Sequence, residues 1–149
     1  MSNQGLEISE FTTHGFKPLI FFKDWRVATL CYCEDLYPPT ISFVERHMET
    51  DEVFILLHGQ ATLLNGGREA VVSRLEAEPM QALKAYNFTL GTWHGVVMSR
   101  DAVIALVENA DTGKENSEYF QLDEPMRRLV LSEAQKIPDW SALAGNIHS

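Results

Sequence analysis

Val44-Glu45-Arg46-His47-Met48-Glu49-Thr50-Asp51-Glu52-Val53-Phe54-Ile55-Leu56-Leu57-His58-Gly59 is the stretch on which the fold turns. Two runs suited to extended backbone flank a polar turn at 48–51. Side chains two apart on a strand share a face, so Glu45 and His47 project together and Arg46 projects the other way. With Arg46 toward solvent, the carboxylate and the imidazole point into the core, where both are costly without a partner. Glu52 opens the next run and can meet them from a neighbouring strand. A metal ion supplies the missing partner; a plain ion pair between Glu45 and His47 is the competing reading of those two residues alone.

Working outward, short apolar or alternating runs recur between turn signals. Strands are expected near 17–23, 26–34, 40–47, 52–58, 60–65, 69–74, 80–86, 92–99, 102–108, 118–122 and 127–131. Pro38-Pro39 forbids regular structure before the third of these. Asn65-Gly66-Gly67 reads as a hairpin turn, because primed turns need positive φ. Residues 111–116 form a polar loop. Only the tail, 132–144, reads as helix, with Ser132 as N-cap and Pro138 interrupting it. Many short strands at close spacing indicate an all-β sandwich or barrel of about ten strands with a short C-terminal helix. One domain over 1–149 is expected, with an N-terminal arm at 1–16 and a helical tail at 132–149.

Composition narrows the partners. Apolar residues make up 45% of the 149, enough for a real core, and the formal net charge is −9. Phosphate backbones and anionic membrane surfaces repel such a chain unless it carries a basic patch. Arg127-Arg128, the densest basic spot, makes no stripe, so neither nucleic acid nor membrane is an expected partner. The first ten residues lack the basic and apolar segments of a secretory signal. Cys31 and Cys33 are too close along one strand for an ordinary disulfide, so reduced thiols and a cytoplasmic location are expected. Leu19-Ile20-Phe21-Phe22 is apolar on both strand faces, an edge that a second copy can cover, so a homodimer is expected.

The second chemical segment is Gly91-Thr92-Trp93-His94-Gly95-Val96-Val97-Met98. Here His94 shares a face with Val96 and Met98. An isolated histidine in such a setting is more often a core imidazole bonded to a backbone carbonyl than a ligand. Beside Glu45, His47 and Glu52, it becomes the fourth member of a metal set. Among the remaining candidates, Phe54 and Trp93 can line a substrate pocket, though aromatics in a barrel are more often plain core. Tyr32 can reach inward as a hydrogen-bonding acid, though a packed ring is the simpler reading. His14, His58 and His148 read as exposed.

Together the two segments resemble the paired motifs of the cupin superfamily. The first family motif runs His-x-His, three or four residues, Glu, six residues, Gly; here it stands as Glu45-x-His47, Glu52 and Gly59 at the same spacing. The second runs Pro-x-Gly-x-x-His-x-x-x-Asn; here it stands as Thr89-x-Gly91-x-x-His94-x-x-x-Met98. The resemblance implies a cupin-type double-stranded β-helix, a jelly-roll barrel. A narrower likeness joins Val44-Glu45-Arg46-His47, Phe54 and Gly91-Thr92-Trp93-His94 to the ureidoglycolate lyase family of cupins, in which glutamine is usual where this chain has Glu52. That likeness implies expulsion of urea from an α-hydroxy acid derivative to leave glyoxylate.

Two imidazoles and two carboxylates suit Zn, Mn, Fe, Co or Ni. The leading expectation is a metal-dependent lyase, isomerase or hydrolase acting on a small polar metabolite, with Glu45 and Tyr32 as proton-handling residues. An iron dioxygenase and a non-catalytic cupin that binds a sugar or small acid stand beside it.

Overall fold

The computed structural model describes residues 4–146; residues 1–3 and 147–149, and His148 with them, lie outside the described residues. Ten strands are described: β1 (Phe16–Phe22), β2 (Trp25–Cys31), β3 (Phe43–His47), β4 (Glu52–His58), β5 (Ala61–Gly67), β6 (Glu76–Pro79), β7 (Ala85–Phe88), β8 (Trp93–Met98), β9 (Val103–Asn109) and β10 (Ser117–Gln121). They form two antiparallel five-stranded sheets, ordered β1-β2-β9-β4-β7 and β10-β3-β8-β5-β6. The turn at 48–51 carries the chain from β3 in the second sheet to β4 in the first. Among the described residues no helix is long and apolar enough to cross a membrane.

The central strands of the second sheet, β5 and β8, are buried on both faces, and their sequence shows why. Leu63 and Val96 point between the sheets, into a core with Phe54, Leu56, Ile104 and Leu106. Their neighbours Leu64 and Val97 point outward, into a second core with Val44, Trp93 and the C-terminal elements. Strands buried on both faces lose the polar alternation of a half-exposed sheet, hence the unbroken runs Ala61–Leu64 and Val96–Met98. The cover is α1 (Glu124–Gln135), followed by 3₁₀ turns over Pro138–Asn146.

Four local expectations are corrected. The run 127–131 is helix, because Met126, Val130 and Ala134 form a buried i, i+4, i+8 stripe while Asp123 caps the start by accepting from the Met126 amide at 3.0 Å. Ser132 is therefore not a cap; it lies inside α1, and its hydroxyl donates to the Leu129 carbonyl. Asn65-Gly66-Gly67 is not a hairpin turn. β5 runs through it, and Gly67, at φ +78°, marks a bulge where the register against β8 slips. A Cβ on Gly66 would sit 2.9 Å from Cβ of Trp93 and 3.2 Å from both Val72 methyls, so glycine here makes room for those side chains. The run 69–74 is consequently connecting loop, not strand. The N-terminal arm packs along β2: the Phe11 carbonyl accepts from the Thr29 hydroxyl at 2.5 Å and from the Cys31 thiol at 3.3 Å. Cys31 and Cys33 are both free thiols.

Candidate metal centre

The period-two argument for β3 holds in the structure. Glu45 and His47 line a cavity between the sheets, while Arg46 takes the opposite face. That face is not open solvent: the Arg46 guanidinium lies 4.4 Å from the Trp93 ring centre and pairs with Glu118 at 2.6 Å. On β8, His94 stands directly across from Glu45. Gly91, at φ +80°, donates its amide to the His47 carbonyl at 2.9 Å, so the turn before β8 is pinned to the end of β3. Glu52 enters from β4, almost fully buried.

Four of the expected site residues, Glu45, His47, Glu52 and His94, therefore converge. Oε2 of Glu52 is 2.7 Å from Nε2 of His47 and 3.0 Å from Nε2 of His94. Oε1 of Glu45 is 4.0 Å from Nε2 of His47. The far ring nitrogens are held as well. Nδ1 of His94 lies 2.9 Å from the Thr92 carbonyl, which can only accept, so that nitrogen carries the proton and donates. Nδ1 of His47 meets the Ser117 hydroxyl at 2.8 Å. Such anchoring aims Nε2 of both rings at one point, the arrangement that metal-ligating histidines use.

Sequence reading missed Glu108. It sits on β9, and its Oε1 is 4.0 Å from Nε2 of His47. It pairs with Arg26, its partner across β2 and β9, at 2.6 Å. The signal was present: Ile104, Leu106 and Glu108 share one inward face by the same period-two rule. A carboxylate closing an apolar alternation is the same anomaly that singled out Glu45.

Burial strongly favours a neutral Glu52, but hydrogen bonds from both imidazoles outweigh it and hold its carboxyl down to about 2. Burial disfavours charge on His94 too, yet its bond to Glu52 and that carboxylate's charge raise it above its ordinary value. Glu45 is pushed up by burial, partly offset by the imidazoles. Glu108 is raised to about 7, by burial first and the charge of Glu52 second, with Arg26 opposing.

These donors fit a divalent metal. Ligand atoms of Glu45, His47 and His94, and separately of His47, Glu52 and Glu108, lie within 4.8 Å of one another. Three carboxylates face one guanidinium and two imidazoles, and a buried negative surplus of this kind is stabilised by a cation. The cavity above them measures about 410 Å³. Phe54 lines it, its ring 5.8 Å from that of His94, and Phe88 stacks on His94 at 4.7 Å.

Two expected site residues lie elsewhere. Trp93 neighbours His94 on β8 and so faces the other way. Its indole donates to the Glu69 carbonyl at 2.9 Å in the outer core, and it does not line the cavity. Tyr32 follows β2 and packs on Trp140, ring centres 5.5 Å apart, with Arg100 over its ring; it does not line the cavity either.

Two face-to-face antiparallel sheets, crossed between β3 and β4, define a cupin-type jelly roll. No protein-family model matches the chain, and no curated protein does. Among solved structures the chain is similar to Pac13 from Streptomyces, a nucleoside dehydratase, with a TM-score of 0.52 at 10% identity over 75% of this chain and 83% of that one. It is also similar to a hypothetical protein from Leishmania major, TM-score 0.52 at 9% identity, covering 69% and 75%. A cupin-2 domain protein from Shewanella frigidimarina is 23% identical over 66% of this chain and 84% of its own, TM-score 0.46. At these identities the likeness speaks to fold and leaves the chemistry to the residues.

Proposed function

We propose that this chain is a metal-dependent cupin enzyme that acts on a small metabolite bound in the cavity between its sheets. One observation carries the reading: beneath that cavity Nε2 of His47 lies 2.7 Å from the Glu52 carboxylate and 4.0 Å from that of Glu45, and Nε2 of His94 lies 3.0 Å from Glu52. His47, His94, Glu45 and Glu52 would hold the ion, with Glu108 beside them. A bound Zn, Mn, Fe, Co or Ni ion would polarise a hydroxyl or carbonyl oxygen and ease its deprotonation. The chain's own part is orientation and proton transfer. Thr92 and Ser117 fix the imidazoles. Glu45, its side chain 38% exposed against 7% for Glu52 and 3% for Glu108, is the carboxylate best placed to exchange a proton with a substrate. Tyr32, remote from the cavity, takes no part in this scheme.

The resemblance to ureidoglycolate lyases supplies a finer version. Glu45 would take the substrate's hydroxyl proton, the carbon–nitrogen bond would break as the carbonyl forms, and the departing urea nitrogen would receive the proton. Release of glyoxylate and urea by metal-loaded protein, absent after chelation, is the expected outcome; no release with any of the five metals removes this version. An iron dioxygenase is the reading that two histidines and a carboxylate also permit. Oxygen uptake by iron-loaded protein separates it from the lyase. Tight ligand binding with no turnover under any metal would mark a binding cupin instead.

The chain is further proposed to form a homodimer through β1, an edge strand on which Phe21 and Phe22 are 58% and 55% exposed. Light scattering should return twice the chain mass; a monomer at high concentration contradicts it.

A further inference from the structure

The walls of the cavity differ in kind from its floor. Leu30, Leu36, Ile41, Val96 and Leu106 line it above the Glu/His cluster. Three aromatic side chains that also line it stay open to solvent: Phe16 at 45%, Phe43 at 50% and Tyr119 at 47%. Phe43 and Tyr119 meet edge to face, ring centres 5.5 Å apart. The Arg26 guanidinium lies over Phe16, 5.1 Å from its ring centre, and all three rings still leave about half of their surface open beside the cavity.

Charge points the same way. The lining holds four carboxylates, Asp35, Glu45, Glu52 and Glu108, against two cations, Arg26 and Lys114. A divalent ion cancels the difference and leaves no positive surplus for an anion. Arg26 is fully engaged: it donates to Glu108 and to the carbonyls of Ala110 and Thr112. Lys114 is exposed on a short 3₁₀ turn, with the carboxylate of Glu115 next in sequence. Apart from the proposed ion, no buried side-chain cation in this lining is free to receive a substrate carboxylate, the task that arginine forks perform in acid-binding sites.

We infer that the substrate is an uncharged molecule with a ring or similar apolar body and one oxygen-bearing end. The oxygen end meets the cluster of His47, His94 and Glu45, and the ring lies against Phe43, Tyr119 and Phe16. The inference rests on the metal reading for the oxygen end and on the walls alone for the ring. It sets a limit on the lyase version above, because ureidoglycolate is a small anion without a ring.

Isothermal titration of zinc-loaded protein with four probes separates ring from charge: 2-hydroxyacetophenone (ring, neutral), hydroxyacetone (no ring, neutral), mandelate (ring, anionic) and glycolate (no ring, anionic). The first should bind about tenfold or more tightly than each of the others. Phe43→Ala should remove most of that advantage while leaving zinc content and hydroxyacetone binding unchanged. Mandelate or glycolate binding as tightly as 2-hydroxyacetophenone, or a ring advantage under about twofold, overturns the inference. Zinc content is measured separately. Zinc bound without ring preference sinks the substrate inference alone. Ring preference in a protein that holds no zinc sinks the metal reading alone.

Discussion

Trp93 and His94 are adjacent on β8 and almost equally buried, 3% and 4% exposed, yet they belong to two different regions of the molecule. Trp93 lies in the outer core beneath α1, where its indole nitrogen has a carbonyl, its face has Arg46 and its edge has Phe120. His94 lies between the sheets, where charged groups outnumber the partners that would settle them. The outer face is closed in packing, and the polar groups of Trp93 and Arg46 there are answered by neighbours. The inner face carries a carboxylate surplus that the protein alone leaves uncompensated. The proposed function belongs to the face with the unbalanced chemistry.

Removing the closed side should cost the most stability. Trp93→Ala deletes a fully packed indole and is expected to lower the free energy of unfolding by about 3–5 kcal/mol, read by urea denaturation. Metal bound per folded molecule should not change. A loss of metal with stability intact would mean that the two faces of β8 are not independent.

On the open side, Glu52→Gln keeps shape and removes charge. Metal affinity should fall at least about tenfold in a competition titration against a chromogenic chelator. Unchanged affinity would remove Glu52 from the ligand set and leave Glu45 and Glu108 to supply the carboxylates.

The pH response should differ with and without metal. Without metal, Glu52 is held below its ordinary 4.5, so its contribution is present above that value and is lost as pH falls toward about 2. His94 is held above its ordinary 6.5, so its contribution is complete below 6.5 and is lost as pH rises through the raised value. The pair therefore stabilises the chelated protein most between about 4.5 and 6.5. With zinc, protons compete with the ion for the same atoms, and stability should rise with pH across the upper part of that range. Melting temperatures recorded from pH 4 to 8 with chelator and with zinc test this; parallel curves would count against a metal at these residues.

The smallest effect is expected at Tyr32. Tyr32→Phe leaves the ring on Trp140 and should shift stability by less than about 1 kcal/mol, with metal content and turnover unchanged. A large fall in turnover would return Tyr32 to the chemistry.

How much of this was legible depended on whether a signal was local. Glu45 and His47 could be read together because the strand period is fixed by the backbone and needs no knowledge of the fold. The same period placed Trp93 opposite His94, and applying it there would have kept Trp93 out of the pocket. Glu108 was open to the same period-two reading through Ile104 and Leu106, but Glu is unremarkable at a strand end; its pairing with Arg26 across β2 and β9 shows that it is buried. Leu129-Val130-Leu131 looks like a strand because three adjacent aliphatics carry no helical period. The stripe of Met126, Val130 and Ala134 emerges once the outer face of the second sheet is known to need a cover. Asn65-Gly66-Gly67 misled in the same way. Its glycines serve positive φ and close approach to Trp93, and local sequence does not distinguish those needs from a turn.

The central claim is that two imidazoles and the surrounding carboxylates hold one divalent ion. Elemental analysis of the protein after dialysis against zinc and then buffer, beside His94→Ala treated identically, tests it most directly. One ion per chain in the natural sequence and almost none in the folded variant is the result predicted. Equal zinc in both proteins, or none in either, would contradict it and leave Glu52 with His47 and His94 as a buried ion pair.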